Sequence, residues 1–149
     1  MGIFVNRGNT SFRSARKSQI YVDKSGLLQY TNAVIDTEQR YICSSRPRRF
    51  GKTMTAGMLA AYYGKGCDSR TLFADLKIAE DSSFEKFLNH YDVIHLDIAY
   101  LLVQVKDPLE TVAYIQKSVI EELREAYVEL LRGLFKGEQS KDFRRSTPV

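Results

Sequence analysis

Apolar positions along this chain fall into short bursts separated by polar stretches, and two of the bursts are continuous. Arg40-Tyr41-Ile42-Cys43-Ser44 and Val93-Ile94-His95-Leu96-Asp97-Ile98 read as core strands. Strands covered on both faces of a parallel sheet show such runs and not alternation. Ile20-Tyr21-Val22 is a shorter β-type run, and the stretch before it, from Phe4 to Gln19, reads as an irregular lead-in anchored by Phe12. Elsewhere the spacing is helical. Asp23 or Ser25 can cap a helix from about Gly26 to Ile35. Met54, Met58, Leu59, Ala61 and Tyr62 form the buried stripe of a helix that follows Lys52 and ends at Gly64-Lys65-Gly66. Ser69 and its neighbours open a short helix burying Leu72, Phe73 and Leu76; Ser82 or Ser83 opens another burying Phe84, Phe87 and Leu88. Asp107 as N-cap and Pro108 at the first helical position start a long amphipathic helix through Leu131. From Lys136 onward the chain is polar and aperiodic, which predicts a disordered tail over 136–149.

Composition adds bounds. The 149 residues, 44% of them hydrophobic and 27% charged, suit one globular domain with a real core. No apolar run reaches the roughly 20 residues of a membrane helix. Met1–Arg7 lacks a signal-peptide core, so the expected location is the cytoplasm, with no membrane partner. Cys43 and Cys67 form no C-x-x-C pair, and Cys43 is expected as a small buried residue of the central strand. His90 and His95 have no acidic or thiol cluster beside them, so no metal site is expected there. The net charge is +4, and Arg40, Arg46, Arg48 and Arg49 crowd one short stretch. Such a patch suits the phosphates of a nucleic acid or those of a nucleotide. Arg7, Arg13, Arg16 and Lys17 read as solvated surface.

The crowded stretch carries the chemistry. Arg46-Pro47-Arg48-Arg49-Phe50-Gly51-Lys52-Thr53 lies between a strand-like and a helix-like run. Strand, loop, Gly-Lys-Thr and helix is the layout of a Walker A P-loop, G-x-x-x-x-G-K-[ST], with Arg46 at the first glycine position. A helix N-terminus offers backbone N–H groups and a positive dipole end to a phosphate. Lys52 adds a full charge, and the Thr53 hydroxyl can ligate Mg²⁺. Arg48, Arg49, Phe50 and Gly51 supply the backbone of the cradle. Two strands with a helical crossover between them meet the requirement for parallel neighbours, joined right-handedly. The expected fold class is α/β: a P-loop NTPase-like parallel sheet core with flanking helices.

Three ordered motifs then match a known pattern. Ile20-Tyr21-Val22-Asp23-Lys24-Ser25, the loop from Ser45 to Thr53, and Val93-Ile94-His95-Leu96-Asp97 resemble the bacterial AAA-ATPase-like family over about Gly2 to Tyr127. The R-P-R-R-F-G-K-[ST] loop is usual in that family, which makes Arg46 a family trait. The resemblance implies an AAA-ATPase-like part over 1–135, with the P-loop at 46–53, and ATP with Mg²⁺ as ligands. Members commonly continue into a PD-(D/E)XK nuclease-like domain, and carry a Walker B strand beyond the point where this sequence stops. The expectation is therefore an apparently truncated N-terminal part of such a protein. Asp97 is either a Walker B equivalent or a strand-end Asp capping a turn. Ile98 follows it, so no catalytic Glu is supplied.

The leading expectation is an ATP-binding domain in which hydrolysis is doubtful. Two alternatives stay open. The basic loop can serve a nucleic-acid-binding module. The long helix can leave an apolar face uncovered and so make a self-associating interaction remnant.

Overall fold

Helices form where a capping residue precedes an apolar stripe, and the computed structural model, which describes residues 3–45, 47–105 and 107–137, follows several of these signals closely. The chain divides into two units, Met1–Asp97 and Ile98–Val149.

The first unit holds five α-helices among its described residues: α1 (Thr10–Arg16), α2 (Gly26–Val34), α3 (Lys52–Tyr63), α4 (Arg70–Phe73) and α5 (Phe84–Phe87). Ser25, Ser69 and Ser83, each among the residues the sequence offers as helix starts, occupy the N-cap positions of α2, α4 and α5, but none of their side chains makes a capping hydrogen bond. The lead-in is not irregular throughout, because α1 forms in it, but Phe12 is its buried anchor as expected. Phe12 stacks on Phe73 with centroids 4.9 Å apart, and Tyr62 meets Phe73 edge-on at 5.4 Å. Around these rings close Leu28, Met58, Ala61, Ile78, Phe84 and Phe87. The predicted stripe of α3 is shifted: Met58, Ala61 and Tyr62 are buried with Ala60 and Tyr63, while Met54 and Leu59 are only half-buried.

The expected parallel-sheet core is not found among the described residues. No strand or sheet forms among the described residues; two isolated bridges, Val5 with Ile94 and Gly64 with Tyr91, are all the β-pairing present. Residues 41–45 are irregular and exposed, with Tyr41 at 80% and Ile42 at 44% accessibility. Cys43, expected in the interior, is exposed with them. Residues 93–97 form no ladder, and Ile98 begins a helix instead of ending a strand. The physical reason is that a three- or four-residue apolar run satisfies no backbone group by itself. Without neighbouring strands to accept its N–H groups, it has no reason to be one. Helical stripes and side-chain polar contacts close this core in place of a sheet.

Asparagines do much of that work. Asn6 (φ 47°) donates from its backbone N–H to the Val93 carbonyl at 2.8 Å, and its Oδ1 accepts from Val93 N–H at 2.9 Å. His95 N–H donates to the Phe4 carbonyl at 2.8 Å. Asn89 (φ 57°) closes the C-terminal end of α3, its Nδ2 donating to the Gly64 carbonyl at 2.6 Å and the Ala61 carbonyl at 3.2 Å. Its Oδ1 accepts from the buried Ser69 N–H at 3.0 Å. Asn32, inside the core, donates to Tyr62 Oη and Ser83 Oγ and accepts from Tyr63 Oη.

The second unit contains α6 (Ile98–Gln104) and α7 (Thr111–Gly137), the latter preceded by a 3-10 turn over Pro108–Glu110. Asp107 Oδ1 accepts from Leu109 N–H at 2.9 Å, the capping role expected of it. Gly133 does not stop α7. Of the predicted tail, Lys136 and Gly137 are helical and 138–149 lies outside the described residues. Leu109, Val112 and Ile120 are exposed.

Candidate functional site

The start of α3 is built from a left-handed glycine. Gly51 is its N-cap at φ 74°, a conformation that costs other residues roughly 1–2 kcal/mol. Two positions earlier Arg49 takes φ 69° and pays that cost. Two left-handed residues therefore bracket Phe50, which is 58% exposed. They turn the chain sharply into the helix. The Gly51 carbonyl then accepts both the Thr55 N–H at 2.9 Å and the Thr55 hydroxyl at 3.0 Å.

No side chain caps α3, and no acidic residue stands in its first turn. First-turn N–H groups have no intrahelical acceptor. Arg48 and Arg49 come just before the helix and Lys52 begins it, so cations gather at the positive end of the dipole. That is the unfavourable sign, worth roughly 0.3–1 kcal/mol per charge. Lys52 bends back over the loop, with Nζ donating to the Pro47 carbonyl at 3.3 Å.

Beside this turn lies a cavity of about 390 Å³ lined by Lys24, Leu27, Ser44, Phe50, Lys52 and Thr55. Phe50 and Lys52 are thus the two sequence-derived site residues in its wall. Gly51 sits between them in the chain; Arg48, Arg49 and Thr53 are exposed around the same turn. Arg46 lies outside the described residues. Asp97 is exposed and not among the described residues that line the cavity. No strand end carries it, so neither reading of Asp97 as a strand-end residue holds.

Lys24, Leu27, Ser44 and Thr55 escape the sequence reading. Lys24 had a visible signal, its place in Tyr-Val-Asp-Lys-Ser, but no spacing rule links it to a loop some 25 residues on. Its Nζ donates to the Phe50 carbonyl at 2.9 Å. Its neighbour Asp23 is half-buried. Burial alone would raise that carboxyl's pKa, but N–H bonds from Lys77 and Ser25 outweigh it and hold the group below its usual value.

The residues present fit a polyphosphate. Cations from two segments face one cavity beside a helix N-terminus, and a Cβ on residue 51 would meet Lys24 Nζ at 2.8 Å. For a divalent cation the turn offers the Thr53 hydroxyl, and Mg²⁺ is ordinarily completed by phosphate oxygens and water. Among the described residues no three His, Cys, Asp or Glu side chains gather as a metal site, and none of the helices is long and apolar enough to cross a membrane.

The model of a family described as "Predicted AAA-ATPase" matches residues 7–146 of the chain. No curated protein and no solved structure matches it.

Proposed function

This chain belongs to the predicted AAA-ATPase family, and from that membership we propose that it binds ATP with Mg²⁺ at the 46–53 loop. The backbone of Arg48, Arg49, Phe50 and Gly51 cradles the phosphates, Lys52 pairs with them, and the Thr53 hydroxyl is the protein's ligand to the metal. The metal, when bound, neutralises phosphate charge. The observation that carries this reading is electrostatic. Arg48, Arg49 and Lys52 stand at the positive end of α3 with no acid in its first turn. Cations that are unfavourable at a helix N-terminus by themselves become favourable partners of a polyanion bound there.

Binding, and not turnover, is the activity proposed. Among the described residues lining the cavity there is no carboxylate or imidazole to take a proton from water. The test is a melting curve with and without millimolar ATP–Mg²⁺. Ligand at a hundred times its Kd stabilises by about 2.7 kcal/mol, a rise of several degrees for a chain of this size. Lys52→Ala removes the rise. No rise in the parent chain refutes the proposal.

A further inference from the structure

Asp23, Lys24 and Ser25 divide their side chains between two places. Asp23 Oδ2 accepts from Lys77 N–H at 3.0 Å and Ser25 Oγ accepts from Ile78 N–H at 3.2 Å, so both flanking residues grip residues 77–78. Asp23 Oδ1 also accepts from Ser25 N–H at 2.7 Å, which fixes the turn between them. Ser25 is fully buried. Lys24, held between these anchors, reaches instead to the loop, where Nζ lies 2.9 Å from the Phe50 carbonyl and shares a cavity wall with Lys52. An ammonium group has three donors. One is used on Phe50, leaving two for an anion in the cavity.

We propose that Lys24 is a second phosphate-binding cation of this site, a role that rests on the nucleotide reading above. With one proton it braces the loop through the Phe50 carbonyl; with the others it contacts the polyphosphate opposite Lys52. The glycine at 51 belongs to the same device. Besides its left-handed φ, it leaves the space Lys24 Nζ occupies, where a Cβ would stand 2.8 Å away. A lysine suits this as a compact point charge on a flexible stem. Its anchoring by Asp23 and Ser25 means little ordering is left for the moment of binding.

The decisive variant is Lys24→Gln, which keeps an N–H able to hold the Phe50 carbonyl but drops the charge. Calorimetric titration with ATP–Mg²⁺ and with magnesium pyrophosphate, at two salt concentrations, reads its effect. Losing a charge-assisted contact weakens both ligands roughly tenfold or more and flattens their salt dependence, while Lys24→Arg restores most of the affinity. If Lys24→Gln binds both ligands as the parent does while Lys52→Ala binds neither, Lys24 only braces the loop and the proposal is overturned alone. If the parent binds neither ligand, the nucleotide reading falls and this falls with it. A measurement on the parent chain guards against a variant that fails to fold. Amine acylation read by mass spectrometry should show ATP–Mg²⁺ protecting Lys24 together with Lys52. Protection of Lys52 without Lys24 overturns the proposal.

Discussion

Substituting Asn89 tests whether the helix that carries the loop is held from its far end by one side chain in a left-handed backbone. The two shortest bonds of the Asn89 amide, beside the 3.2 Å one to the Ala61 carbonyl, are 2.6 Å to the Gly64 carbonyl and 3.0 Å from the Ser69 N–H, and both of these partner residues are buried. At roughly 1 kcal/mol each, their loss costs Asn89→Gly about 2 kcal/mol. Asn89→Ala loses the same bonds and must also hold a Cβ at φ 57°, which places it lower again by about 1 kcal/mol. The order is diagnostic, because in ordinary helical or extended backbone alanine is the more stable of the two. Urea unfolding followed by far-UV circular dichroism resolves it. The glycine variant's midpoint should fall by about 1 M and the alanine variant's further. An alanine variant as stable as the glycine variant, or more so, would refute both the backbone assignment and the capping role.

Two other outcomes are expected. Burial, opposed by the Thr31 hydrogen bond, pushes the Tyr63 phenol from 10.0 up to about 12. Its stabilising contribution is therefore complete below about pH 10 and is lost as pH rises towards about 12. Denaturation at a series of alkaline pH values should show the parent losing more stability over that window than Tyr63→Phe, and parallel curves would contradict the assignment. On the chemical side, ATP turnover by the parent chain should stay near background, with Asp97→Asn changing nothing. Robust turnover that this substitution removes would mean that a carboxylate outside the cavity wall reaches the reaction.

What the sequence made legible was local. Helices start at or next to Ser25, Ser69, Ser83 and Asp107, all offered by the sequence, because a helix start is chemistry within four residues; only Asp107 makes a side-chain capping bond, and the three serine hydroxyls do not cap. Phe12, Phe73, Phe84 and Phe87 were readable as core because their size demands burial. The two strands were not, since Tyr41-Ile42-Cys43 and Val93–Ile98 are apolar runs whose fate depends on distant partners that no periodicity encodes. The loop shows the same split. Gly51 and Lys52 were visible as a motif, whereas Lys24 joins them only through a fold in which residues 23 and 25 grip 77 and 78. Asn6 and Asn89 look in the sequence like solvent-facing loop residues, and their left-handed backbones with multiple main-chain bonds leave no pattern to read.

The tie between residues 4–6 and 93–95 bears on how the polypeptide is born. Asn6 and Val93 stand 87 positions apart. At cellular translation speeds residues 4–6 wait on the order of ten seconds before their docking partner leaves the ribosome. During that interval Phe4 and Val5, both buried in the finished protein, lack the bonds and the bridge that residues 93–95 give this segment. Residues 4–6 can therefore be pinned only after residues 93–95 have emerged, whatever their nearer neighbours have already formed.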